Sequence, residues 1–201
     1  MTRDFYEFLY RPGQELQMVG IVIGIWLIVS HLIAVWKFDE LKPMLAKLPR
    51  NYNFGVVLFT VCMIWTLAVW SEMDLGEFHA AEKKVQVILV VGGALVAYFV
   101  RDFLAVRAIG FFLILLASPI LISAFLEPPR TRLLLVILAY AMVIKGMFWV
   151  GKPYLLRDQI AWATADKKRW QIACGAGAVY GVLILLCAVL FWDKEAAPDP
   201  F

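Results

Sequence analysis

Histidine and cysteine are scarce in this chain, two and three among 201 residues, and none of its sixteen aspartates and glutamates falls inside the long apolar runs. HExxH, CxxC, a partnered serine nucleophile and a glycine-rich phosphate loop are all missing. The chemistries that depend on those spacings find no support, and no catalytic residue is assigned. A proton-coupled pump ordinarily keeps an acid at membrane depth, which these runs do not supply. Cys62, Cys174 and Cys187 all lie in apolar runs, where a thiol packs as a small hydrophobe, so they indicate no redox compartment. Charge is sparse too, at 17% of residues against about 25% in soluble domains. The net +3 is dealt out among loops rather than gathered in a patch, which argues against a nucleic-acid partner.

What the chain has in excess is apolar surface: 63% of residues are hydrophobic against about 45–50% in soluble proteins. Six apolar runs can be marked off, at about 17–36, 53–71, 85–100, 108–126, 133–150 and 171–192. Each approaches the ~20 residues that cross a bilayer as a helix. The expected fold is an all-α polytopic membrane protein, six transmembrane helices in one domain over 1–201. The amino end carries Asp4, Glu7 and Glu15 before the first run, unlike the basic leader of a signal peptide, so the first span is expected to stay in the mature protein.

Two connections are long enough to hold structure of their own. In 38–50, Phe38, Leu41, Met44, Leu45 and Leu48 form a stripe opposed by charged residues, the pattern of an interfacial helix interrupted or restarted at Pro43. In 153–170 a proline opens a segment with Leu156, Ile160 and Ala163 on one side, a second such helix. Both fall on the loops that carry eleven basic and five acidic residues; the opposite loops and tails carry seven basic and eleven acidic. Lysine and arginine bias therefore places both termini outside and both interfacial helices on the cytoplasmic leaflet, with a bacterial-type inner membrane as the expected setting. The basic surface suits anionic lipid headgroups. The first and last hairpins share this layout, each with a basic amphipathic connection, which admits a faint internal repeat.

Two ionisable groups lie at membrane depth, and such groups are functional candidates by default. His31 and Lys145 each sit roughly 8–9 Å from the same end of their spans. With Asp102 and Arg107 they form a candidate polar cluster, although a lysine this shallow can also snorkel to the headgroups. His31 is also the one candidate for holding a pigment or a five-coordinate haem. Bis-histidine haem ligation is excluded, because His79 lies in the loop on the other side of the bilayer. No cofactor is otherwise indicated. That loop gathers Glu72, Asp74, Glu77 and His79, candidate ligands for a hard cation, though a solvated acidic docking patch explains the composition as well.

Small residues recur at helical spacing: Gly20 and Gly24 on the first span, Gly92 and Gly93 on the third, Ala173, Gly177 and Gly181 on the sixth. Such faces let helices approach closely in lipid. Ser118 and Pro119 mark a kink in the fourth span, and Trp36, Trp70, Trp149, Trp170 and Trp192 fall at span ends, the belt position. The reading that fits best is a non-catalytic subunit that scaffolds or anchors a larger membrane complex, its partners being lipids and other membrane subunits or further copies of itself. A small oligomeric channel or transporter using the polar cluster is the alternative, and a pigment- or haem-binding protein using His31 is a third.

Overall fold

The computed structural model describes residues 2–10, 16–73 and 81–192. Among them every regular element is helical: α1 (Thr2–Tyr10), α2 (Leu16–Trp36), α3 (Phe38–Lys47), a 3-10 turn (Leu48–Arg50), α4 (Tyr52–Glu72), α5 (Glu82–Phe99), α6 (Leu104–Ser123), a second 3-10 turn (Arg130–Arg132), α7 (Leu133–Gly151), α8 (Tyr154–Thr164) and α9 (Lys167–Phe191). Leu16–Trp36, Tyr52–Glu72, Leu104–Ser123, Arg130–Gly151 and Lys167–Phe191 are long and apolar enough to cross a bilayer. The protein is therefore all-α and of integral-membrane character; in lipid a helix is what lets a backbone satisfy its own polar groups.

The expected third span corresponds to α5. Its first turn holds Glu82, Lys83 and Lys84, which leaves an apolar stretch of about 22 Å against a hydrocarbon core of about 30 Å.

α6 is the centre of the molecule. It buries Leu104, Ala105, Val106, Ala108, Gly110, Ala117, Pro119, Ile120 and Ser123, and packs on α7 along one side and α4 along the other. α2 pairs lengthwise with α9. Leu16, Leu27, Ala117, Ile120, Leu135, Ala139, Ile184 and Ala188 meet in one core drawn from α2, α6, α7 and α9. A smaller cluster of Phe59, Leu104 and Ala108 joins α4 to α6, with Ala97 of α5 packed against it.

Glycine sets how closely these pairs approach. A Cβ on Gly110 would lie 2.7 Å from the carbonyl oxygen of Gly146, and a Cβ on Gly146 would lie 2.7 Å from that of Gly110. A Cβ on Gly55 would lie 2.6 Å from the backbone nitrogen of Ala105, which fixes the start of α4 against the start of α6.

Element boundaries differ from the sequence reading for local reasons. α6 begins at Leu104 rather than 108 because Phe103, at φ 59°, turns the chain sharply after α5. A non-glycine residue in the left-handed region costs about 1–2 kcal/mol. The segment expected as one helix over 153–170 is divided: α8 ends at Thr164, and the Asp166 side chain accepts a hydrogen bond from the Lys168 N–H, capping α9. Likewise Asn51 accepts from Phe54 N–H and starts α4. α1 was not anticipated by the hydropathy pattern. It lies against α4 and α6, with Tyr6 and Tyr10 stacked at 5.2 Å.

Candidate functional site

α3 and α8 touch at one end of the bundle, where α2 and α7 finish and α4, α6 and α9 begin. His31 lies one turn and a half from that end, in the seam between α2 and α9. Its Nδ1 is 2.7 Å from the Leu27 carbonyl oxygen. A carbonyl only accepts, so Nδ1 donates to it. Nε2 faces Gly177 so closely that a Cβ there would overlap the ring. The place a metal or macrocycle would take on Nε2 is filled by the backbone of α9.

The other members of the expected cluster lie apart from this seam. Lys145 is exposed on α7, beside the buried Gly146, and Asp102 is exposed in the turn before α6. Arg107 is partly buried, and its Nε is enclosed without a hydrogen-bond partner. Among the described residues no hydrogen bond or ion pair joins any two of His31, Lys145, Asp102 and Arg107.

Of the acidic-loop candidates, Glu72 is the last residue of α4 and is half-buried. Asp74, Glu77 and His79 lie outside the described residues. Among the described residues no trio of His, Cys, Asp or Glu is placed to hold a metal ion.

The small-residue positions divide. Gly20 accommodates Trp192 and Ala188; Gly24 and Gly181 face one another's helices; Gly177 accommodates His31. Gly93 meets the Met63 side chain, Gly92 has open space where a Cβ would go, and Ala173 is exposed. Two of the belt tryptophans are turned inward as donors. Trp170 Nε1 donates to the Ala34 carbonyl at 2.8 Å and Trp192 Nε1 to Thr131 Oγ1 at 2.7 Å, fastening α9 to α2 and to the turn before α7.

No known protein family, curated protein or solved structure matches this chain.

Two features that sequence reasoning did not reach are surface grooves. α5 touches α4 where Gly93 meets Met63, then diverges from it toward the end opposite α3 and α8. The opening, about 560 Å³, is lined by Ile64, Leu67, Ala68, Ser71, Gln86, Val87, Val90 and Val91. Beyond the Gly110–Gly146 contact, α6 and α7 likewise leave a hollow of about 270 Å³ beside Ser118, at the helix turn that holds Pro119. At that same end Trp65 Nε1 donates to the Tyr10 hydroxyl at 2.9 Å. Burial pushes the Tyr10 phenol above its ordinary pKa of 10.0, opposed by the hydrogen bond from Trp65.

Proposed function

We propose that this protein is a non-catalytic integral membrane subunit that holds a transmembrane helix of a different subunit in the groove between α4 and α5. The supporting observation is α5 itself: none of its residues is buried, and among its neighbours only α4 makes substantial contact with it. Helices associate in lipid through close packing rather than through a hydrophobic force, so a helix left this bare contributes little to its own bundle. Its short apolar stretch favours protein contact over lipid, since association is one way a short helix relieves mismatch. The six-span count belongs to this reading, with α5 crossing in company rather than alone.

The test is photo-crosslinking in native membranes from probes at Val87, inside the groove, and Ile172, on the outward face of α9. A single foreign polypeptide captured from Val87 and not from Ile172, and present at fixed stoichiometry in the gently extracted complex, is the expected result. Val87→Trp, which fills the groove, should release that polypeptide while the extracted chain keeps its melting temperature. Crosslinks to lipid alone, or to a second copy of the chain, would overturn the reading.

A further inference from the structure

At the α3–α8 end the chain concentrates positive charge where its own electrostatics oppose it. α9 opens with Lys167, Lys168 and Arg169 and has no acidic residue in its first turn. The N-terminus of a helix carries about half a positive charge, so cations there are disfavoured. Asp166 at the cap and Asp39 of α3, 4.0 Å from Lys167, offset part of this. α3 then adds another cation to the same place. Lys42 Nζ lies 5.8 Å and Lys167 Nζ 5.9 Å from the centre of one ring, that of Phe38. The buried Phe38 packs on Trp170 at 5.7 Å, and Trp170 is fastened to the α2 backbone. Two ammonium groups from different helices thus each lie within about 6 Å of the same ring, which is itself held in place.

The same end of the bundle also exposes large apolar side chains. Trp36, Met44 and Trp162 are 83%, 62% and 60% exposed, and Arg169 lies 5.7 Å from the Trp162 ring. Cations framed by exposed indoles and a thioether match the level of a bilayer at which phosphates meet the first methylenes.

We infer that Lys42, Lys167 and Arg169 form a binding site for the phosphate of an anionic phospholipid, with Trp36, Met44 and Trp162 against its glycerol and upper acyl chain. The site is independent of any partner in the α4–α5 groove, which opens at the other end of the bundle. An anion there balances the cations that α3 and α9 bring to the Phe38 ring and meets the positive end of α9, neither of which a zwitterionic headgroup does as well.

The experiment uses the full chain in a neutral detergent, titrated with phosphatidylglycerol or phosphatidylcholine, with bound lipid counted by native mass spectrometry. Phosphatidylglycerol should bind about ten-fold more tightly, and the Lys42→Gln/Lys167→Gln variant should lose that preference. Lys83→Gln/Lys84→Gln, which removes two cations from the first turn of α5 at the other end, should keep it. Inorganic phosphate at millimolar concentration should displace little of the lipid, because it lacks the acyl chains. Equal binding of the two lipids, an unchanged Lys42/Lys167 variant, an equal loss in the Lys83/Lys84 variant, or full displacement by phosphate would each overturn the proposal. All four lysines are exposed, and an unshifted melting temperature in each variant shows that the fold is intact.

Discussion

The His31 imidazole rests on the backbone of Gly177, occupying the space where any other residue would place its Cβ. A histidine that looks like an isolated ligand in the sequence is therefore a packing element, with one nitrogen tied to its own helix at Leu27 and the other closed off by α9. Position 177 is small because position 31 is a ring.

This complementarity predicts strong coupling between the two positions. Gly177→Ala should destabilise the bundle by about 1–3 kcal/mol, the usual cost of overpacking, since ring or helix has to move. Gly177→Ala combined with His31→Ala should recover most of that loss. Thermal unfolding in detergent of the two single variants and the double variant checks it; additive losses would mean that the two residues do not share the space.

Lys145 presents the opposite case. It is exposed on α7 and takes part in no ion pair among the described residues, so its ammonium is free to reach the headgroups. Both Lys145→Met and Lys145→Arg are expected to leave the melting temperature within the range of ordinary surface substitutions, about 0.5 kcal/mol. A large loss for methionine with rescue by arginine would instead reveal a buried counter-charge.

How much of this was legible in the sequence follows from the range of each interaction. Gly20, Gly24, Gly177 and Gly181 repeat every four residues, so their shared face could be read along one helix. Gly110 and Gly146 have no such repeat; each is close-packed only because the other sits opposite, and a pairing between helices leaves no periodic trace. Gly92 and Gly93 illustrate the converse error, since adjacent residues point about 100° apart on a helix, and only Gly93 faces α4. Trp170 and Trp192 lie at span ends as belt residues do, yet whether an indole N–H turns to water or to Ala34 and Thr131 depends on the neighbouring helix. α1 escaped notice because its anchor, Tyr10, is buried through Trp65, far along the chain. The ionisable residues His31, Lys145, Asp102 and Arg107 could be assigned depths from the sequence, but depth along an axis says nothing about which way a side chain faces.

The Gly110–Gly146 contact gives a directional prediction. Either glycine changed to alanine should drive α6 and α7 apart and lower stability by about 1–3 kcal/mol. Gly175→Ala, where nothing lies within 4 Å of the added carbon, should raise stability by about 0.5–1 kcal/mol through helix propensity alone. Equal effects at positions 110 and 175 in thermal melts would show that the close approach of α6 and α7 has no energetic weight.

Tyr10 provides the pH-dependent prediction. Burial against α4 and α6 holds its phenol above the ordinary value of 10.0, so the folded state favours the protonated form. When α1 is released the phenol ionises near 10, and the contribution of Tyr10 to holding α1 in place is complete below that pH. It is lost as pH rises from there through the folded value. Raising the pH above 10 should therefore detach α1 before the rest of the bundle unfolds, because the core built by α2, α6, α7 and α9 contains no residue of α1. Tyr10→Phe removes the ionisable group and the hydrogen bond from Trp65 Nε1 together. That variant should be less stable at neutral pH by about 0.5–1.5 kcal/mol, the net worth of one hydrogen bond, yet show no further loss of α1 above pH 10. Hydrogen exchange of the α1 amides, compared at neutral and alkaline pH in parent and variant, separates the two effects. An α1 that opens at the same pH in both proteins would mean that another group controls its release.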